Sequence, residues 1–225
     1  MVDPSSALAL SIEVGLLSAA LGLLPALGLG WLLARPRLPG KSILGTLVLA
    51  PLVLPPVVSG FLLLGLLGRR GLLGPPLAAV GISLPFSFAA AVIAATFVGV
   101  PLYVSAVRAA FEAIDPRYQE VALTLGATPR QALRRITLPL ALPGIAAGVV
   151  LAFARGLGEF GATAVFAGNI EGRTRTIALA LYALLEAPGG EQAQQILVLA
   201  TLALCFAAIA LYEWLRRLQR HRLEL

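Results

Sequence analysis

The stretch DPRYQEVALTLGATPRQALRRITLP, from Asp115 to Pro139, decides the fold of this chain. It is a charged and basic island between two long apolar segments, and we call it the elbow. Asp115 and Pro116 are typical of the N-cap and first turn of a helix. The spacing of the apolar residues that follow predicts a short helix over Tyr118 to Leu125.

The middle of the elbow predicts a sharp change of direction. Gly126 predicts the end of the first helix, because glycine takes the left-handed backbone of a helix C-terminus without strain. Thr128-Pro129 predicts the start of a second helix, over Arg130 to Thr137, and we expect Pro139 to end it. The sequence therefore predicts a helix–glycine–helix unit.

The composition is that of a membrane protein. The 225 residues are 59% hydrophobic and 12% charged, against roughly 25% charged in soluble domains. An α-helix needs about 20 apolar residues to cross the hydrocarbon core. Five segments are long enough and predict an all-α, polytopic fold that forms a single domain over residues 1–225: Leu8 to Ala34, Ser42 to Leu67, Leu84 to Ala109, Leu140 to Phe166 and Gln195 to Leu215.

The predicted second span contains Pro51, Pro55 and Pro56. Prolines remove backbone donors and bend helices, which a membrane tolerates where neighbours or water satisfy the freed carbonyls. The span is either a kinked structural helix or a bent helix that lines a pathway. Two other apolar pieces, in residues 69–83 and from Ile177 to Leu185, are too short to cross.

The basic residues predict the orientation. With the elbow placed inside the cell, twelve Lys and Arg residues fall on the cytoplasmic side, and only Arg69, Arg70, Arg173 and Arg175 fall outside. The positive-inside rule therefore places the elbow, within a loop over residues 111–139, and the C-terminus in the cytoplasm. The N-terminus is then external, and a sixth, hidden span before the elbow would reverse that end alone.

Several function classes are excluded by residue content. A single cysteine, Cys205, allows no intrachain disulfide. With one histidine, His221, in the polar tail, we expect no metal site and no catalytic residues. The sequence lacks a phosphate loop, so we expect no nucleotide cofactor on this chain. Its arginines lie at span ends, which indicates membrane topology rather than nucleic-acid binding.

Two charges fall within the predicted fourth span. Arg155 and Glu159 are four residues apart, on one face of a helix. Charges inside a membrane usually face a cavity or a partner. They form either a mutually neutralising structural pair or part of the gate of an anion pathway. Glu13 lies near the outer end of its span, and we expect it at the interface.

The elbow resembles the cytoplasmic loop of bacterial ABC-importer permeases, whose pattern is E-A-A-x3-G-x9-I-x-L-P. All spacings are kept, and only the second position departs, with Val in place of Ala. By this resemblance the ATPase-coupling residues are Glu120, Val121, Ala122, Gly126, Ile136, Leu138 and Pro139.

A longer part of the chain resembles molybdate/tungstate permeases. The motifs FARGLGEFGAT (Phe153 to Thr163), AGNIEGRTRT (Ala167 to Thr176), PLVLPPVVSGFLLL and PGGE carry this resemblance. Sulfate/thiosulfate permeases share the F-G-A and G-N-I elements and remain a rival, and Glu171 stands where the molybdate version usually has proline. The resemblance implies these pathway or gate residues: Pro55, Pro56, Arg155, Glu159, Gly161, Thr163 and Asn169.

The resemblance also implies partners. We expect a dimeric ABC ATPase at the elbow, a periplasmic or lipid-anchored oxyanion-binding protein, a second copy of this chain and membrane lipid. The cell would be bacterial or archaeal and the site its inner membrane. A proton-coupled secondary transporter using Glu13 and Glu159, and a non-transporting membrane scaffold, are the alternatives from other classes.

Overall fold

The computed structural model describes residues 3–185 and 189–224, and every regular element in these ranges is a helix. Pro188, which opens the PGGE motif, lies outside the described residues. The helices in chain order are α1 (Pro4–Ala34), α2 (Lys41–Val53), α3 (Pro56–Leu67), α4 (Gly74–Ala79), α5 (Phe88–Glu112), α6 (Arg117–Thr124), α7 (Pro129–Ala132), α8 (Leu138–Leu157), α9 (Gly161–Phe166), α10 (Ile177–Leu185) and α11 (Glu191–Glu224).

Four of the described helices are long and apolar enough to cross a membrane. They are α1, α5, the continuous helix Pro129–Leu157 and α11 over Glu191–Arg220. The pair α2 and α3 reaches the same length and hydropathy only when the two are counted together. The predicted all-α membrane fold is therefore confirmed, with four spans, or five if the bent pair counts as one, in the described residues, against five or possibly six predicted.

The predicted second span is broken rather than kinked. Helices α2 and α3 meet at 110°, with Leu54 and Pro55 both in extended conformations between them. Each of these residues precedes a proline, and the proline ring disfavours helical angles in the residue before it. Two such residues in succession turn the chain sharply.

The prediction that Pro139 ends the second elbow helix is wrong. A π turn, Leu133–Thr137, joins α7 to α8, and the helix continues to Leu157. A proline inside a regular α-helix meets the carbonyl four residues back. In the π turn the hydrogen bonds reach back five residues rather than four, and the N–H of Leu138 bonds to the carbonyl of Leu133. The helix therefore continues through Pro139.

The predicted fourth span, Leu140 to Phe166, is not one helix either. Helix α8 ends at Leu157, and α9 begins only at Gly161. The break, Gly158 to Phe160, holds a single charge between two largely apolar segments, and hydropathy averaged over a span does not reveal it. Glu159 lies in this break and not on a helix face shared with Arg155.

The centre of the bundle is formed by α1, α5 and α8, which pack through small residues. A Cβ atom at Gly15 of α1 would lie 2.9 Å from the Phe153 ring, and one at Gly148 of α8 would lie 3.0 Å from the Tyr103 ring. Helix α11 packs on α8, and its buried Gln219 donates a hydrogen bond to the carbonyl of Ala110 on α5, at 3.1 Å. The small residues allow the backbones to approach closely.

Candidate functional site: the elbow and the broken helices

The elbow turns at Gly126, whose φ is +86°. Its N–H bonds to the carbonyl of Leu123, and the N–H of Ala127 bonds to the carbonyl of Ala122, both at 3.0 Å. This pair of bonds is the Schellman arrangement, which satisfies the last carbonyls of a helix through a residue in the left-handed region. The glycine that the sequence singled out therefore does end α6.

Side-chain hydrogen bonds lie at the start of both elbow helices. The Thr128 hydroxyl accepts a hydrogen bond from the Gln131 N–H at 3.3 Å, and the Gln131 side-chain oxygen accepts one from the Thr128 N–H at 2.8 Å. This capping box starts α7. Helix α6, Arg117–Thr124, is displaced by one residue from the predicted Tyr118 to Leu125, and the Asp115 carboxylate accepts the Arg117 N–H at 2.9 Å.

A hydrogen bond links α6 to the residue that precedes α8. Gln119 donates from its side-chain amide to the hydroxyl of Thr137, at 2.6 Å, and Thr137 is 4% exposed. Sequence reasoning did not find this pair. One feature of the sequence could have indicated an inward-facing Gln119: it lies three residues before Ala122, which is buried, on the same face of α6. The bond closes the elbow into one unit with the π turn.

The outer face of the elbow is apolar and exposed. Val121 is 57% and Leu125 82% exposed, although both belong to a segment predicted to lie in water. Together with the buried Ala122, they line a concavity of about 750 Å³ that also includes Ile136. Exposed apolar surface of this kind is typical of sites that contact another protein or a membrane.

The other predicted coupling residues lie around this surface. Glu120 is exposed on α6 and pairs with no cationic side chain among the described residues. Leu138 and Pro139 are exposed on the first turn of α8. Among the pattern positions, Glu120, Val121, Leu138 and Pro139 are thus exposed, whereas Ala122 is buried on the face of α6 that also carries Gln119.

The two breaks in the spans meet. Helix α3, which follows the first break, packs against α9, which follows the second. A Cβ atom at Gly161 would lie 2.7 Å from Pro56 Cβ, and one at Gly60 would lie 2.7 Å from Val165 Cβ and 2.9 Å from a backbone oxygen, that of Ala162. We call this contact the α3–α9 seam. It brings Pro56 and Gly161, two predicted pathway residues, together.

Two hydroxyl groups are buried at the helices of the seam. Ser59 of α3 is 0% exposed and Thr163 of α9 is 1% exposed. Neither side-chain oxygen has a hydrogen-bond partner among the described residues. A buried hydroxyl without a partner carries a desolvation cost of about 1–3 kcal/mol. Thr163 was predicted from the motif, and Ser59 was not.

Arg155 and Glu159 form an ion pair at the second break. Their side chains are 2.9 Å apart, with Glu159 2% and Arg155 26% exposed. The other carboxylate oxygen of Glu159 accepts the backbone N–H of Ala162 at 2.8 Å. Glu159 therefore joins the end of α8 to the first turn of α9, a structural contact that the sequence did not predict.

Asn169 lies apart from these residues. Its side-chain oxygen accepts a hydrogen bond from Arg175 at 2.9 Å, and Arg175 also pairs with Glu171 at 3.3 Å. The buried Thr174 closes the same loop by bonding the carbonyl of Gly168 and the N–H of Ile170. The G-N-I motif thus forms a self-bonded loop between α9 and α10.

Comparison with known proteins decides the family. Residues 26–221 match the sequence profile described as binding-protein-dependent transport system inner membrane component. The chain belongs to this family. The resemblance to ABC-importer permeases that the elbow indicated is therefore confirmed.

Two relatives of this binding-protein-dependent permease differ in their sequence identity to it. The chain is 46% identical over 224 residues to the molybdenum transport system permease protein ModB of Escherichia coli, covering 99% of this chain and 98% of the relative. It is 35% identical over 182 residues to the sulfate transport system permease protein CysT of Salmonella typhimurium, covering 80% of this chain and 66% of that relative. The similarity to the molybdenum permease is thus higher and more complete.

The fold agrees with a solved transporter. The structure of the MetNI methionine ABC transporter in inward-facing conformations matches with a TM-score of 0.72, covering 96% of this permease and 94% of that chain. The sequence identity is 19%, so this likeness concerns the fold alone.

Proposed function

We propose that this permease is the membrane subunit of an ATP-driven importer of molybdate and tungstate. The observation that carries the proposal is the 46% identity to the molybdenum permease over nearly the whole of both chains. The alternative is a sulfate/thiosulfate importer, and it rests on a lower identity over a shorter alignment. The chain itself would catalyse no reaction, and ATP would be hydrolysed on a separate subunit.

The elbow would be the coupling element. Its exposed apolar face, with Val121 and Leu125, would lie in a groove of a dimeric ABC ATPase, and Glu120 would meet a donor at the edge of that groove. The Schellman turn at Gly126 and the Gln119–Thr137 bond support this role, because they hold the face rigidly on the helix that continues into the membrane. Closure of the ATPase dimer would then move α8.

The pathway would pass the α3–α9 seam. The seam joins helices that are both broken inside the membrane region, and irregular backbone at that depth is tolerated where it lines a cavity or is covered by protein. Arg155 would attract the anion, while its pairing with Glu159 would keep the anion from being held too tightly to leave. The hydroxyls of Ser59 and Thr163 would supply neutral hydrogen bonds.

A second copy of the chain would complete the channel, since a bundle of five spans is too small to enclose one. A binding protein on the outer side would deliver the anion. The elbow and the C-terminus would lie in the cytoplasm and the N-terminus outside, as the distribution of the basic residues indicates.

Uptake by the reconstituted system tests this proposal. Proteoliposomes would contain the permease with its ATPase, and the binding protein would be added outside with radiolabelled molybdate. We expect uptake that depends on ATP and on the binding protein. Unlabelled tungstate should compete, and sulfate in large excess should not. Competition by sulfate as strong as that by tungstate would instead support the sulfate importer.

The same vesicles distinguish a proton-coupled transporter. Such a protein would carry the anion without an ATPase, and its uptake would stop when a protonophore collapses the proton gradient. Glu159 is buried, and both its carboxylate oxygens are already bound, one to Arg155 and one to the Ala162 N–H, which argues against it as the proton-carrying group. We therefore expect uptake to be insensitive to the protonophore while ATP is supplied.

A further inference from the structure

A second cavity, of about 840 Å³, lies where the end of α1, the start of α2, the end of α5 and the elbow meet. Three cationic side chains contribute to its lining, and so do two carboxylates. They are Arg35, Lys41, Arg130, Glu112 and Asp115. The proposed coupling surface is a different concavity, lined by the outer face of the elbow.

The two carboxylates are already engaged. Glu112 accepts a hydrogen bond from Arg108 at 2.9 Å and lies 3.6 Å from the Lys41 ammonium group. Asp115 accepts the N–H that begins α6. In contrast, Arg35 and Arg130 form no ion pair with any side chain in the described ranges. The charged lining residues therefore carry a net charge of +1, and the two guanidinium groups are the ones that no carboxylate pairs with.

The position of Arg35 indicates the depth of the cavity. Its guanidinium carbon lies 3.7 Å from the centre of the Trp31 ring, which stacks the planar group and leaves its N–H edge available. Trp31 is in the last turn of the apolar α1, and tryptophan at the end of a span is typical of the membrane–water interface. The cavity therefore lies at the level of the lipid headgroups.

We propose that this cavity binds the headgroup phosphate of an acidic phospholipid. Guanidinium groups bind phosphate oxygens with paired hydrogen bonds, and basic pockets between helices on the cytoplasmic side suit acidic headgroups. The assignment to the cytoplasmic leaflet rests on the orientation in the proposed function. A bound phosphate would connect Arg35, beyond α1, to Arg130 on α7, so the lipid would tie the elbow to the first span.

Trp31 provides the measurement. The chain has two tryptophans, and Trp214→Phe leaves Trp31 as the reporter. The purified full-length permease would be titrated in micelles with phosphatidylglycerol or phosphatidylcholine brominated near the headgroup end of the acyl chain. We expect brominated phosphatidylglycerol to quench the fluorescence of Trp31 at a several-fold lower concentration than brominated phosphatidylcholine does. The assay needs neither the ATPase nor molybdate, so its failure is distinct from failure of the transport proposal.

The matched variants are Arg130→Ala and Arg134→Ala. Both change an exposed elbow arginine, but only Arg130 lines the cavity, and neither change disturbs the Arg35–Trp31 stack. We expect Arg130→Ala to weaken the phosphatidylglycerol effect about fivefold, the scale for one basic residue at an acidic surface, and Arg134→Ala to leave it unchanged. Lys41→Ala, on α2, should also weaken it and serves as a second variant.

Three results would overturn the proposal. One is equal quenching by the two lipids. Another is an equal loss in Arg130→Ala and Arg134→Ala, which would indicate a general charge effect. The third is displacement of phosphatidylglycerol by millimolar inorganic phosphate or molybdate, which would identify the cavity as a site for a soluble oxyanion rather than a lipid.

Discussion

At Gly126 the elbow depends on one backbone angle. A Cβ atom at this position would meet nothing within 4 Å, so a side chain would be opposed by its positive φ and not by crowding. The strain for an ordinary L-residue there is roughly 1–2 kcal/mol. Asparagine tolerates this region better than other side chains. Asparagine and valine at position 126 therefore distinguish a requirement for positive φ from a requirement for a small residue.

We therefore expect Gly126→Val to reduce co-purification of the ATPase and ATP-dependent uptake, while the protein still inserts in the membrane. Gly126→Asn should retain most of both, and Glu120→Ala should have a milder effect than Gly126→Val. Gly28→Val is the matched control, because a Cβ atom at Gly28 also meets nothing within 4 Å and its backbone has no positive φ. Normal coupling in Gly126→Val would remove the main support for the elbow as the coupling element.

For the Arg155–Glu159 pair, we expect the loss of one partner to be more destabilising than the loss of both charges. Arg155→Ala leaves the buried Glu159 without its partner, at a cost of about 3 kcal/mol for a broken buried pair, and should lower the folded yield. Arg155→Ala with Glu159→Gln should recover much of it, since glutamine is neutral and can still accept the Ala162 N–H.

The double alanine variant is the comparison, because it removes that hydrogen bond as well and should recover less. Folded yield is measured as the monodisperse fraction after purification. Normal yield with abolished transport in Arg155→Ala alone would show that the pair serves the pathway and not the fold.

At the scale of the helices, the α3–α9 seam is held by glycines on both sides. The contacts that a Cβ atom would meet at Gly161 include the backbone N of Val57, at 3.0 Å, and backbone cannot rotate away as a side chain can. Larger residues in such a contact typically cost about 1–3 kcal/mol. A single methyl group added at Gly161 is therefore enough to disturb the packing of the seam.

We expect Gly161→Ala to separate α3 from α9 and to impair uptake strongly. Gly158→Ala, three residues earlier, is the matched control, because a Cβ atom there meets nothing within 4 Å. Uptake and ATP hydrolysis should be measured together. Equal uptake in the two variants would argue against a role for the seam in transport.

The sequence predicted the helices better than their interruptions. Long apolar runs identify spans because the membrane sets their length, and Gly126 was recognisable because its chemistry is local. The break at Glu159 was hidden, since most residues around it are apolar or glycine and a single charge changes the averaged hydropathy little. The α3–α9 seam and the Gln119–Thr137 bond join residues 18 or more positions apart, and no local pattern encodes such pairs.

At the scale of the whole molecule, the proposed orientation can be tested directly. A cysteine at Arg130 should react with a membrane-impermeant maleimide only in opened or inverted vesicles. One at Arg173 should react in intact spheroplasts. The native Cys205 lies within α11 and is first changed to alanine. The opposite labelling pattern would reverse the proposed topology.

In the proposed coupling mechanism, the helix from Pro129 to Leu157 would act as a lever. Its 29 residues span about 40 Å, so a rigid tilt of about 10° around its midpoint displaces each end by about 3–4 Å. The two ends would therefore move by similar distances, and a movement delivered at the elbow would have to be as large as the opening it produces. The helix ends two residues before Glu159, so that movement would be transmitted to the carboxylate that joins α8 to α9.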